Sequence, residues 1–80
     1  METQQITERL TGTFRDVFDD PNLVIQRGTT AEDVEDWDSL THINLMVAVE
    51  REFKIKLTTA EVTGMKDVGD LIDLIAKKAA

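Results

Sequence analysis

The sequence predicts an all-α domain of three main helices and one short helix, with a long loop between the first two helices. Apolar residues recur every three or four positions in three segments, which is typical of amphipathic helices. No segment alternates apolar and polar residues as a half-buried strand does. Capping and turn residues separate the segments. At 80 residues, the chain forms one domain, residues 1–80, with a small core.

The first helix is expected over about residues 3–18. Its apolar positions recur at helical spacing and are Ile6, Leu10, Phe14, Val17 and Phe18. The run Asp19-Asp20-Pro21-Asn22 ends it, because proline and asparagine break helices. Residues 19–38 then form a loop that is long for so small a domain. We expect it to be anchored to the core by Leu23, Val24 and Ile25.

The second helix is expected over about residues 39–53, with Asp38 or Ser39 as its N-cap. One apolar stripe consists of Leu45, Met46, Val49 and Phe53. A second stripe, roughly 140° away around the helix, consists of Leu40, Ile43 and Val47. A small domain has little room to bury both stripes, so we expect the second to be partly exposed and to contact a partner. The alternative is an enclosed central helix.

Two further helices are expected near the C-terminus. Thr58 and Glu61 form a capping box that begins a short helix over about residues 59–63, which Gly64 ends. The last helix is expected over about residues 67–78. Its buried side consists of Val68, Leu71, Ile72 and Ile75. Gly69, in its first turn, is expected to cost little stability.

Composition narrows the function. The formal net charge is −7, and residues 32–38 hold five acids and no base. This charge disfavours nucleic acid and anionic membranes and favours partners with basic patches. There is no cysteine, so thioester chemistry would need a sulfur from elsewhere. No apolar run reaches the length of a membrane span, and the first residues lack a signal-peptide pattern, so we expect a cytoplasmic protein.

Catalytic and metal sites are not expected. Ser39 and His42 stand three residues apart, but no glycine-rich oxyanion loop flanks the serine. His42 points towards the buried stripe and is better interpreted as a histidine at the edge of the core. With one histidine and no cysteine, only carboxylates remain as metal ligands, and the acidic loop lacks the ligand spacing and central glycine of an EF-hand.

Residues 37–53, Trp-Asp-Ser-Leu-Thr-His-Ile-Asn-Leu-Met-Val-Ala-Val-Glu-Arg-Glu-Phe, followed by Lys-Ile-Lys-Leu, resemble the phosphopantetheine attachment site of acyl carrier proteins. The resemblance covers nearly the whole chain, including helix order and loop length. It implies that Ser39, preceded by Asp38, is esterified by 4′-phosphopantetheine from coenzyme A. The thiol of this arm would hold acyl or aminoacyl groups as thioesters. It further implies a monomeric carrier without catalytic activity of its own.

The partners implied are a phosphopantetheinyl transferase that brings Mg²⁺, and loading and processing enzymes with basic docking patches. We expect these enzymes to contact a face made of Leu40, Ile43, Val47 and Glu50. Trp37, Thr41 and Asn44 depart from the usual fatty-acid carriers and favour a specialised polyketide, peptide, aminoacyl or lipid pathway. The alternative is an unmodified helical adaptor that binds protein partners through the second helix.

Overall fold

The computed structural model describes residues 2–79 and contains four α-helices within them. They are α1 (Thr3–Val17), α2 (Ser39–Phe53), α3 (Thr59–Thr63) and α4 (Val68–Lys78). No strand occurs in this part of the chain. The all-α fold class, with three main helices and one short one, is therefore confirmed. Met1 and Ala80, which complete the expected domain, lie outside the described residues.

The core lies between α1, α2 and α4, and α1 packs against both of the others. The stripes expected to face inward are buried, except that Val17 and Phe18 at the end of the first stripe are half-buried against the core. The side chains with essentially no exposure are Ile6, Leu10, Phe14, Leu45, Val49, Val68, Leu71, Ile72 and Ile75. Each aliphatic or aromatic side chain buried in this way contributes roughly 1.5–3 kcal/mol of hydrophobic stabilisation. The packing leaves the second stripe of α2 on the outside.

The loop between α1 and α2 is anchored differently from the sequence expectation. Ile25 is buried as expected and Leu23 is half-buried, but Val24 is 67% exposed. The expectation for Val24 was wrong, because its side chain lies on the solvent side of the loop while those of Leu23 and Ile25 pack against the core. Val34, which the sequence did not single out, is buried at 6% exposure and provides a second anchor.

The same loop is fastened to the beginning of α4. The backbone N–H of Val68 donates to the carbonyl oxygen of Thr29 at 2.9 Å, and that of Gly69 donates to the carbonyl oxygen of Arg27 at 2.8 Å. The first N–H groups of a helix have no partner within the helix, so the loop satisfies two of them. Arg27 also forms an ion pair with Asp73 of α4 at 2.9 Å. The loop is thereby held against the N-terminal part of α4.

Candidate attachment site

Ser39 is the first residue of α2 and the only serine in the chain. Asp38, not Ser39, is the N-cap: its carboxylate accepts hydrogen bonds from the backbone N–H groups of Leu40 and Thr41, each at 3.0 Å. Ser39 is exposed, and none of the described residues forms a hydrogen bond with its hydroxyl. Because a neighbour supplies the cap, the hydroxyl of Ser39 is available for chemistry.

The capping interaction also sets the charge of Asp38. The backbone N–H of Thr41, then its hydroxyl, and then the N–H of Leu40 lower the pKa of the Asp38 carboxyl below the ordinary aspartate value. The hydroxyl of Thr41 donates to the carbonyl oxygen of Asp36 at 2.7 Å and accepts from the N–H of Asp38 at 2.7 Å. Thr41 thus braces the turn that presents Ser39, and Asp38 is ionised at neutral pH.

His42 of α2 connects the loop before that helix to α3. Its Nδ1 lies 3.1 Å from Nε1 of Trp37, and its Nε2 lies 2.9 Å from the carbonyl oxygen of Val62 in α3. Both imidazole nitrogens are therefore engaged away from Ser39. His42 is a half-buried histidine at the edge of the core, as its position on the helix predicted.

Trp37 packs inward. Its ring makes an edge contact with Phe14 at 5.3 Å between centroids and lies 6.1 Å from Phe18. The indole is half-buried, so packing of the loop onto the beginning of α2 accounts for most of its surface. The sequence carried a signal for this role, since an aromatic residue just before a helix often packs against the core. The contact of His42 with Val62, 20 residues away, had no sequence signal.

An open pocket of about 440 Å³ lies beside Ser39. Its lining combines apolar and polar side chains, among them Trp37, His42, Val62, Met65 and Lys66. The pocket lies between the end of the long loop, the first turn of α2 and the segment from α3 to α4. It is large enough for a small organic group that begins at the serine.

The second apolar stripe of α2 lies on the surface. Leu40 is 70%, Ile43 59% and Val47 42% exposed. Glu50, which we expected on the same partner face, is half-buried, and its Oε2 accepts a hydrogen bond from the N–H of Leu57 at 2.8 Å. Glu50 therefore holds the chain that follows α2. Partner contact by these four residues stays a prediction.

Two further searches concern residues 2–79 only. No group of three or more histidine, aspartate or glutamate side chains is arranged to hold a metal ion. None of the helices in this range is both long enough and apolar enough to cross a membrane.

Comparisons with known proteins place the chain among carriers. No family model matches it. A protein named acyl carrier protein from Thermosynechococcus vestitus is 32% identical over 81 residues, covering 100% of this chain and 99% of that protein. Another of that name, from Acidothermus cellulolyticus, is 30% identical over 76 residues, covering 95% and 90%. The solution NMR structure of a holo acyl carrier protein from Geobacter metallireducens aligns with a TM-score of 0.84 and 49% identity, covering 90% of this chain and 83% of that one.

Proposed function

This chain belongs to the acyl carrier protein family, and from that premise we propose that Ser39 bears a 4′-phosphopantetheine arm that carries acyl or aminoacyl cargo. The arm supplies the thiol that the cysteine-free chain lacks. The chain itself positions the arm and presents it to partner enzymes.

The observation that carries the proposal is the unengaged hydroxyl of Ser39. The serine is exposed at the N-terminus of a 15-residue helix, while Asp38 does the capping. The residues present fit the group, because a phosphodiester at this position would lie at the positive end of the helix dipole, a favourable effect of about 0.3–1 kcal/mol. The nearby carboxylates of Asp36 and Asp38 repel the negative charge of the phosphodiester, so we expect the transferase to bring Mg²⁺.

The pocket beside Ser39 indicates where the bound group could rest. Trp37, Val62 and Met65 offer apolar contact, while Lys66 and Asp67 lie at polar parts of the lining. His42 is hydrogen-bonded to both Trp37 and Val62 and so links these two walls. We expect the pocket to shelter the portion of arm and cargo nearest the protein.

We further propose a specialised pathway rather than housekeeping lipid synthesis. Thr41 and Asn44 stand where fatty-acid carriers often have acids. Asn44 is exposed on α2 and Thr41 braces the turn, and neither side chain carries a negative charge. Trp37 supports this less, because packing against Phe14 explains it. The expected partners are a phosphopantetheinyl transferase and dedicated loading enzymes.

The attachment is tested by intact mass. We expect the protein, incubated with coenzyme A, Mg²⁺ and a broad-specificity transferase, to gain the mass of one phosphopantetheine group. Ser39→Ala should gain nothing, whereas Thr63→Ala, which alters another hydroxyl lining the same pocket, should gain as the wild type does. No gain in the wild type would favour the unmodified adaptor, and an equal gain in Ser39→Ala would place the group elsewhere.

The pathway is tested by loading the holo protein side by side with a malonyl transferase and with adenylating enzymes encoded near its gene. We expect loading by one of the adenylating enzymes and poor use by fatty-acid synthase enzymes. Efficient malonyl loading followed by chain elongation would assign the protein to fatty-acid synthesis.

A further inference from the structure

Three exposed bases cluster where α2 ends, at the opposite end of the helix from Ser39. They are Arg51, Lys54 and Lys56, named here the basic patch. Together with Val47 they line an open concavity of about 380 Å³. The patch therefore adjoins the last residue of the exposed apolar stripe.

The acids nearest the basic patch along the chain are already engaged. The carboxylate of Glu50 accepts the N–H of Leu57 at 2.8 Å, and that of Glu52 pairs with Nε of Arg9 at 2.8 Å. Within residues 2–79, no carboxylate forms an ion pair with any base of the patch. In a chain with 16 acids and nine bases, a cluster of three bases without an ion-pair partner is unexpected.

The charge along the exposed face of α2 therefore changes from negative at the N-terminal end to positive at the C-terminal end. Five acids precede it in residues 32–38, the apolar stripe follows, and the basic patch ends it. A 15-residue helix is roughly 22 Å long, and the screening length at physiological salt is about 8 Å. A docked protein consequently interacts with the two charged ends as separate regions. At the C-terminal end of α2 the local charge is positive, although the net charge of the chain is −7.

We propose that the basic patch docks onto an acidic surface of a partner protein. The docking surface of that partner is then basic where it meets the Ser39 end of α2 and acidic where it meets Arg51. This goes beyond the proposed function, which gives the bases of the chain no role, and beyond the expectation from sequence, which was of partners with basic patches alone. A protein partner fits better than nucleic acid or an anionic membrane, because an extended polyanion would also meet the acids of residues 32–38. Val47 beside the bases offers a protein partner the apolar contact that usually accompanies such charges.

The test uses the intact, isotope-labelled protein and two synthetic helical peptides. One peptide has a leucine stripe flanked by glutamates, and the other has lysine at each glutamate position. We expect the glutamate peptide to shift the amide NMR signals of residues 47–56. The double variant Arg51→Glu/Lys56→Glu should bind the glutamate peptide about tenfold more weakly, because two attractive charge contacts become repulsive. The same variant should bind the lysine peptide more tightly.

The matched comparison is Lys56→Glu against Lys77→Glu, since each variant reverses one exposed base and only Lys56 lies in the patch. Lys77→Glu should keep the affinity for the glutamate peptide within about twofold, whereas Lys56→Glu should lower it by more than that. An equal loss in these two variants, or tighter binding of duplex DNA or anionic vesicles than of the peptide, would overturn the proposal. Arg51→Gln/Lys56→Gln repeats the test if reversed charge weakens the helix end. Modification of Ser39 plays no part in this measurement, so it can fail or succeed independently of the proposed function.

Discussion

Nε1 of Trp37 donates a hydrogen bond to Nδ1 of His42 across 3.1 Å, and this contact decides which nitrogen of the imidazole carries the proton. Since Nδ1 accepts, the neutral ring must be protonated at Nε2, which then donates to the carbonyl oxygen of Val62 at 2.9 Å. One ring thus ties the loop before α2 to α3 and forms one wall of the pocket beside Ser39.

The first prediction concerns that tautomer. In its neutral form, His42 should be found protonated at Nε2 by nitrogen NMR of the imidazole. Trp37→Phe keeps an aromatic ring but removes the donor, so the tautomer preference should weaken and the free energy of unfolding should fall by about 0.5–1.5 kcal/mol. A ring protonated at Nδ1 in the wild type would contradict the hydrogen bond from Trp37.

The second prediction compares two helical glycines. A Cβ at Gly69 would lie 3.0 Å from the carbonyl oxygen of Arg27, whereas one at Gly12 would have no atom within 4 Å. Gly12→Ala should raise the free energy of unfolding by about 0.5–1 kcal/mol, because alanine favours the helix. Gly69→Ala should lower it by about 1 kcal/mol, because the crowded carbonyl also accepts the N–H of residue 69. Urea denaturation measures both, and stabilisation by Gly69→Ala would show that the loop can move away.

The third prediction separates the two stripes of α2. Val47 is 42% exposed and Val49 is fully buried. Val47→Asp should change the free energy of unfolding by less than about 1 kcal/mol and should slow modification by the transferase. Val49→Asp should unfold the domain, because it buries an unpaired charge in the core. Circular-dichroism melting distinguishes the outcomes, and unfolding of Val47→Asp would assign Val47 to the core.

The fourth prediction concerns stability in acid. The pKa of Asp38 is lowered in the folded state, mainly by the N–H and hydroxyl of Thr41, so its stabilising effect is present above the unfolded pKa and is lost as the pH falls through the folded one. Asp38→Asn can still cap α2 but does not titrate. The stability advantage of the wild type over this variant should therefore shrink as the pH falls below about 4.

Urea denaturation at stepped pH measures that difference for Asp38→Asn. Glu61→Gln should show the same trend, since the N–H of Thr58, followed by the ammonium of Lys78, lowers the pKa of Glu61. A pH-independent difference for Asp38→Asn would show that its carboxylate does not stabilise the folded state.

Features that depend on neighbours along the chain could be predicted from the sequence. The capping box of Thr58 and Glu61 forms, and α3 ends at Gly64, because these contacts span only a few residues. Whether Asp38 or Ser39 would cap α2 stayed open, since both residue types serve as caps. Periodicity could not predict that Val24 is exposed, because the loop has no regular repeat.

The sequence by itself determined the helical class, the family and the serine proposed for attachment, because periodicity, capping and the motif around Ser39 are all local. Only the tertiary structure decided which charges neutralise each other. Arg9 reaches Glu52 across 43 positions and Arg27 reaches Asp73 across 46, whereas Arg51, Lys54 and Lys56 have no ion-pair partner among the described residues. Such pairings follow from how the helices pack, since charged groups far apart in sequence interact only when folding brings them within a few ångströms.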